Sequence, residues 1–265
     1  MQVPTRLTGD MRFTPLARAP IPLGHATAAL KHVRATADGV IVVDMRPPWL
    51  VWEHHRYPWY FTARDRIAGE LVESGAGPKS RTLGRCEEFD LVLADGRVLD
   101  KAVRRYPEAE NETVKDCYTF RWDAFDGWFE EDDIVTVHAR DPYTRVDALA
   151  SSRHVLAKVG NVVVADSRRP VLLLETGLPP RFYLPRVDIR TDLLRPTDTI
   201  SQCAYKGTAN YWTLQVGRKT FVDAVWSYER PLPEAAKIAG LMAFWPEEAQ
   251  GLTITIDGER LGAKH

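Results

Sequence analysis

From Lys31 onward the chain alternates short apolar runs with turn signals, the pattern of half-buried β-strands rather than of long helices. HVRATADGVIVVDMRPPWLVWEHHRYPWYF, residues 32–61, holds a β-branched run, a turn at Asp38-Gly39, a second run, a proline break and a third apolar stretch. It predicts a hairpin followed by a crossover strand. The same pattern returns 122 residues later without a gap: His32 matches His154, Asp44 matches Asp166, Arg46 matches Arg168 and Glu53 matches Glu175. Between positions 32 and 71, 14 of 40 pairs are identical, and Ala102-Val103-Tyr106 still aligns with Ala224-Val225-Tyr228. A period this long is a domain and not a solenoid unit, so the chain reads as a tandem duplication.

Each copy continues with an alternating strand pair, FDLVLADGRVLDKAVRRY in the first and YWTLQVGRKTFVDAVWSY in the second, reversing at Asp95-Gly96 and Gly217-Arg218. A short helix is expected at PLPEAAKIAGLMAFW, where prolines open the first turn, Glu234 sits near its positive end and Ala235, Ile238, Leu241 and Met242 are apolar. LTITIDGERL then closes the second copy. The first copy inserts RWDAFDGWFEEDD before a closing strand expected at IVTVHA. Residues 1–30, with prolines at 4, 15, 20 and 22, read as a surface arm, residues 31–139 as the first repeat and 140–265 as the second. Strands outnumber helices, and the absence of βαβ alternation excludes a doubly wound sheet.

Composition narrows the function classes. A net charge of -1 and a pI near 6.7 give no general attraction to nucleic acid or anionic lipid. No apolar run is long enough to cross a bilayer, and MQVPTRLTGDMRF carries no signal-like apolar core, so a cytoplasmic location is expected. Cys86, Cys117 and Cys203 are widely spaced, which argues for reduced thiols and against a disulfide framework or a cysteine-rich zinc site.

DPYTRVDALASSRHV, ADSRRPVLLLETGLPPRFYLP, CAYKGTANYW and VWSYERPLPEAAKIAGLMAF lie in the second copy. In these blocks the chain resembles the domain of unknown function 427 family, some of whose descriptions carry a nucleotidyltransferase-like label, and residues 32–106 look like a more divergent member. The resemblance implies a compact, mainly β domain of the methionine sulfoxide reductase B and Rab-exchange-factor type, present twice. Relatives of that fold often hold zinc through paired cysteines. This chain has no such pairs, and neither metal nor cofactor is expected. It also lacks the Gly-Ser turn and Asp-x-Asp pair with which common nucleotidyltransferases hold magnesium.

The copies differ in a consistent direction. Ser167 stands where the first copy has Met45, Arg169 where it has Pro47, Arg181 where it has Trp59, Tyr183 where it has Phe61, and Lys206 aligns with Gly84. On this comparison shared residues hold the fold, and Arg181, Tyr183 and Lys206 are functional candidates. Arg168 and Glu175 admit two readings: an ion pair tying a strand end to a turn, or an anion fork beside a general acid or base. The expected site is a pocket of Arg168, Glu175, Arg181, Tyr183, Lys206 and Tyr211, with Glu175 and Lys206 catalytic and the others binding ligand. Gly207 would let the backbone approach that ligand, and Tyr205 would add a wall. Cys203 reads as a buried thiol or a nucleophile, His154 as a satisfied histidine or a proton shuttle, and His54-His55 as a surface pair.

The function implied is binding of a small polar or anionic molecule, with hydrolase or transferase activity, in a monomer or homodimer. The alternative is a non-catalytic module that holds a protein partner through the tryptophans of the first copy. Those rings, Trp49, Trp52, Trp59, Trp122 and Trp128 among them, are expected to pack between the copies, and the acidic EEDD beside them argues against nucleic acid.

Overall fold

The computed structural model describes residues 21–247 and 249–261, which fall into two compact units divided between Pro142 and Tyr143. In the first unit the strands are β1 (Ala26–Ala28), β2 (Val33–Ala37), β3 (Val40–Met45), β4 (Trp49–Val51), β5 (Trp59–Phe61) and β6 (Glu70–Ala76). They continue as β7 (Glu87–Val92), β8 (Val98–Arg105), β9 (Tyr118–Phe120), β10 (Gly127–Glu130) and β11 (Asp133–Ile134), with a single short helix, α1 (Glu112–Lys115), after β8. All pair antiparallel, in three small sheets ordered β1-β4-β5, β11-β10-β2-β3 and β6-β7-β8-β9.

The second unit repeats this strand for strand. Its members are β12 (Val146–Ala150), β13 (Val155–Val159), β14 (Val162–Ser167), β15 (Val171–Glu175), β16 (Arg181–Tyr183) and β17 (Leu194–Cys203). After them come β18 (Gly207–Val216), β19 (Lys219–Ser227), β20 (Met242–Phe244), β21 (Leu252–Ile256) and β22 (Glu259–Arg260). The sheet orders are β12-β15-β16, β22-β21-β13-β14 and β17-β18-β19-β20. Register repeats as well: Thr27 opposes Leu50 as Leu149 opposes Leu172. Both units are therefore mainly β, and no helix among the described residues is long and apolar enough to cross a membrane.

Three sequence expectations change. Residues 1–20 of the proposed arm lie outside the described residues, but Ala26–Ala28 form a paired strand of the first repeat. The closing strand of that repeat is GWFE, not IVTVHA: Trp128 opposes Ala35 as Ile254 opposes Ala157. Val137, with φ of 72°, sits in a left-handed conformation that no β-branched strand residue adopts. The helix expected at PLPEAAKIAG is a 3-10 segment, Pro233–Ile238, whose Ala235 leaves helical geometry before Gly240 turns the chain into β20.

Alternation along the strands divides each unit between two apolar clusters. In the second, Leu172, Phe182 and Leu214 join one cluster, while Leu173, Tyr183 and Ala209 face the other with Trp226 and Tyr228. Trp52 and Trp128, expected to pack between the copies, are buried in the first unit's own core, with Trp122 stacked on Trp128 at 4.6 Å.

Candidate functional site

Leu173 and Glu175 occupy one face of β15, Arg181 and Tyr183 one face of β16, and period-2 alternation aims all four to the same side. Facing them is the β17–β18 turn that carries Lys206, with Tyr211 on β18, Trp226 at the end of β19 and Tyr228 just beyond it. Together these residues line a cavity of about 190 Å³ that opens to solvent, completed by Leu178, Pro179 and Trp245. A single water needs only ~15 Å³ measured this way, so there is room for a small organic molecule.

Lys206 is the one buried lysine among the described residues, and its ammonium donates to Glu175 Oε2, itself buried. The turn is held by its backbone: the Leu232 N–H donates to the Lys206 carbonyl at 3.1 Å. Gly207 has φ of 92°, and a Cβ there would lie 3.4 Å from the Arg230 carbonyl oxygen. Its glycine thus serves a close backbone approach to residues 230–232, not to a ligand as the sequence suggested.

Tyr183 accepts a hydrogen bond from Trp226 Nε1 at 2.9 Å, and its own proton has no acceptor among the described residues. The Tyr228 hydroxyl makes no hydrogen bond within them. Burial pushes both phenols well above their ordinary value, so they keep their protons at neutral pH and remain donors. Tyr211 shares a hydrogen bond with Ser201 Oγ at 2.8 Å. At the outer edge the Arg181 guanidinium stacks 5.8 Å over Trp226 and donates to Glu247 at 2.7 Å. The cavity therefore offers ammonium and phenol protons, and its carboxylate already accepts one of them.

Five of the six expected site residues meet here; Arg168 does not. It is exposed beside His154, 3.5 Å from Nδ1, while His154 Nε2 bonds Asp166 at 2.7 Å. His32 and Asp44 form the same pair at 2.7 Å, and Arg46 contacts both. This repeated cluster fastens adjacent strands. Seven residues of extended chain span roughly 23 Å, which carries Glu175 away from Arg168, and the carboxylate finds Lys206 as its partner instead.

The division into shared and unshared residues does not coincide with the cavity lining. Glu175 has a counterpart in Glu53 yet lines the cavity. Ser167 and Arg169 have no polar counterparts yet form a latch, both donating to Asp188 at 2.8 and 2.9 Å. Tyr205 and Cys203 are not among the cavity residues. Trp226, Tyr228, Trp245 and Leu178 escaped the sequence reading. Setting Trp226 against Arg104 in the first copy would have exposed at least one of them.

The register also corrects one comparison. Phe89 opposes Val103 and Trp212 opposes Val225, so β7 and β18 differ by 123 residues, and the counterpart of Lys206 is Leu83, not Gly84. Leu83 is 2% exposed in an apolar cluster with Val51, Phe61, Cys86, Tyr106 and Cys117. There Glu53 accepts from Ser80 Oγ at 2.7 Å. Burial raises the Cys86 and Cys117 thiols, which keeps them protonated and unreactive.

A family model described as Domain of unknown function (DUF427) matches the chain twice, over residues 25–131 and 147–255. The chain belongs to this family. The first DUF427 match takes in β1 to β10 and the second nearly the whole of β12 to β21, and the first begins just before β1. None of the curated proteins compared with this chain matches it.

Proposed function

We propose that the second DUF427 repeat binds a small molecule bearing a carboxylate or another anionic, acceptor-rich group, and acts on it as a hydrolase or transferase. The observation that carries this reading is a buried ammonium beside two phenol hydroxyls that donate to nothing in the described protein. A ligand acceptor would take the place of water at these hydroxyls, which is favourable where it reproduces the hydrogen bonds that water makes. Lys206, Tyr183 and Tyr228 supply the donors, Arg181 adds positive charge at the outer edge, and Leu173 and Trp226 give apolar walls. Glu175 Oε1, which no hydrogen bond engages among the described residues, is the acceptor for a substrate or water proton. The protein is read as cytoplasmic, and as a monomer or homodimer. Partner binding through the aromatic first repeat draws less support, since Trp52 and Trp128 are inside its core.

The test is thermal unfolding of the full chain against acetate, pyruvate, lactate and phosphate. A ligand at a hundred times its Kd stabilises by about 2.7 kcal/mol. Tyr228→Phe, which removes one hydroxyl and leaves the ring, is expected to keep the fold and weaken the response. The reading fails if none of these anions raises the unfolding temperature, or if the variant responds as the wild type does.

A further inference from the structure

Lys206 differs from every other described lysine in being enclosed, and its ammonium touches a carboxylate able to take its proton. The walls are apolar and aromatic, and Tyr183 and Tyr228 line the same small volume, with the Tyr183 hydroxyl accepting from Trp226 and keeping its own proton to donate. Charge binding alone does not require this. An anion is held as well by an arginine or by an exposed lysine, without the cost of burying an ammonium with a counter-ion. What the arrangement adds is a base in direct contact with the ammonium: the Glu175 carboxylate is placed to take its proton when a carbonyl carbon is presented to the nitrogen.

We propose that Lys206 is a nucleophile that forms an imine with the carbonyl carbon of a small 2-oxo acid. The proposal rests on the pocket reading above and assigns it a substrate class. The step balances within the site. Glu175 takes one proton from the Lys206 ammonium, and the freed nitrogen lone pair forms a C–N bond to the carbonyl carbon. The C=O π pair moves onto oxygen, where the Tyr183 and Tyr228 hydroxyls donate hydrogen bonds, and a proton passes from nitrogen to that oxygen. The protonated Glu175 then returns its proton to the resulting hydroxyl, water leaves as the C–O bond breaks, and the nitrogen lone pair closes C=N. The net change is ammonium plus ketone to iminium plus water, with one positive charge on each side. The iminium withdraws electrons from the neighbouring carbons, which suits it to group transfer at the position next to the former carbonyl.

Reductive trapping tests this. The full chain is incubated separately with pyruvate, glyoxylate and 2-oxobutyrate, treated with sodium borohydride, digested and mapped by mass spectrometry. Lys206 is expected to carry the reduced adduct, a carboxyethyl group for pyruvate, at roughly tenfold higher occupancy than the exposed lysines. Lys206→Arg, which keeps a cation beside Glu175, should lose that adduct, and Tyr228→Phe should form it several-fold more slowly. No adduct at Lys206 with any of the three acids, or labelling no greater than at Lys101 or Lys219, overturns the imine. Thermal shift by the same acids without borohydride separates the two readings. A shift without an adduct sinks the imine and leaves the pocket; absence of both, with no shift by acetate, lactate or phosphate either, sinks the two together.

Discussion

One strand frame carries two different interiors. In the second repeat Lys206 meets Glu175 in a cavity walled by Tyr183, Tyr228 and Trp226; in the first, Leu83 occupies the lysine's place and Phe61 stands for Tyr183, while Tyr106, the counterpart of Tyr228, is paired with the Cys86 thiol. The carboxylate survives in both, because Glu53 finds Ser80 where Glu175 finds Lys206. The outer edge is exchanged too: Arg181 lies over Trp226 in one copy, while Trp59 and Arg104 hold those positions in the other. Strand pairing is thus indifferent to whether the interior it encloses is an apolar plug or a polar hollow. Turn residues and their partners decide that.

The largest expected effect comes from breaking the buried pair. Lys206→Met leaves the Glu175 carboxylate alone in a low-dielectric site and is expected to cost about 3–5 kcal/mol, read by denaturant unfolding and by faster hydrogen exchange in β15 and β18. Replacing both partners, as Lys206→Leu with Glu175→Leu, should recover most of that loss while abolishing any response to anions. A single variant as stable as the wild type would show that the two repeats are held by the same apolar means.

Next in size is the apolar plug of the first repeat. Leu83→Ala should cost about 2–5 kcal/mol through the space it leaves, detected as local exchange in β7 and β8, and should create no anion site because Phe61 and Val51 offer no donors, no ammonium is present and the Tyr106 hydroxyl is paired with the Cys86 thiol. A gain of anion binding there would mean that volume alone, rather than donor chemistry, separates the copies.

The smallest effect concerns the latch that only the second repeat has. Hydrogen bonds from Arg169 hold the Asp188 carboxyl below its ordinary value, helped by Ser167 and opposed by burial. With the folded value below the unfolded one, about 3.9, the stabilisation is present at higher pH and disappears as pH falls through the folded value. Arg169→Gln should move the Asp188 titration, followed by carboxyl carbon NMR, up toward the ordinary range. An unchanged titration would remove this contrast with Met45 and Pro47 of the first repeat.

Much of the fold was legible along the chain. Period-2 alternation, the turns at Asp38-Gly39 and Gly217-Arg218, and identities 122 residues apart specify strands and their repetition, because side-chain direction in a strand is a local property. β10 was missed because GWFE reads as aromatic filler until it is seen pairing with Thr36 and Val33. Of the candidate site, Glu175, Arg181, Tyr183, Lys206 and Tyr211 were accessible from residue type and from comparison of the copies. Arg168 looked equally suitable, being close to Glu175 in sequence, and it ends in the His154 cluster.

Sequence alone determined the β character, the duplication and the charged and aromatic residues available to the second copy. Only the tertiary structure decided which of them meet. Alternation states that two residues share a face, but the neighbour of that face is set by sheet order and by turns whose length obeys closure geometry. A one-residue slip between β7 and β18, hidden in a variable turn, turns the counterpart of Lys206 from a glycine into the buried Leu83.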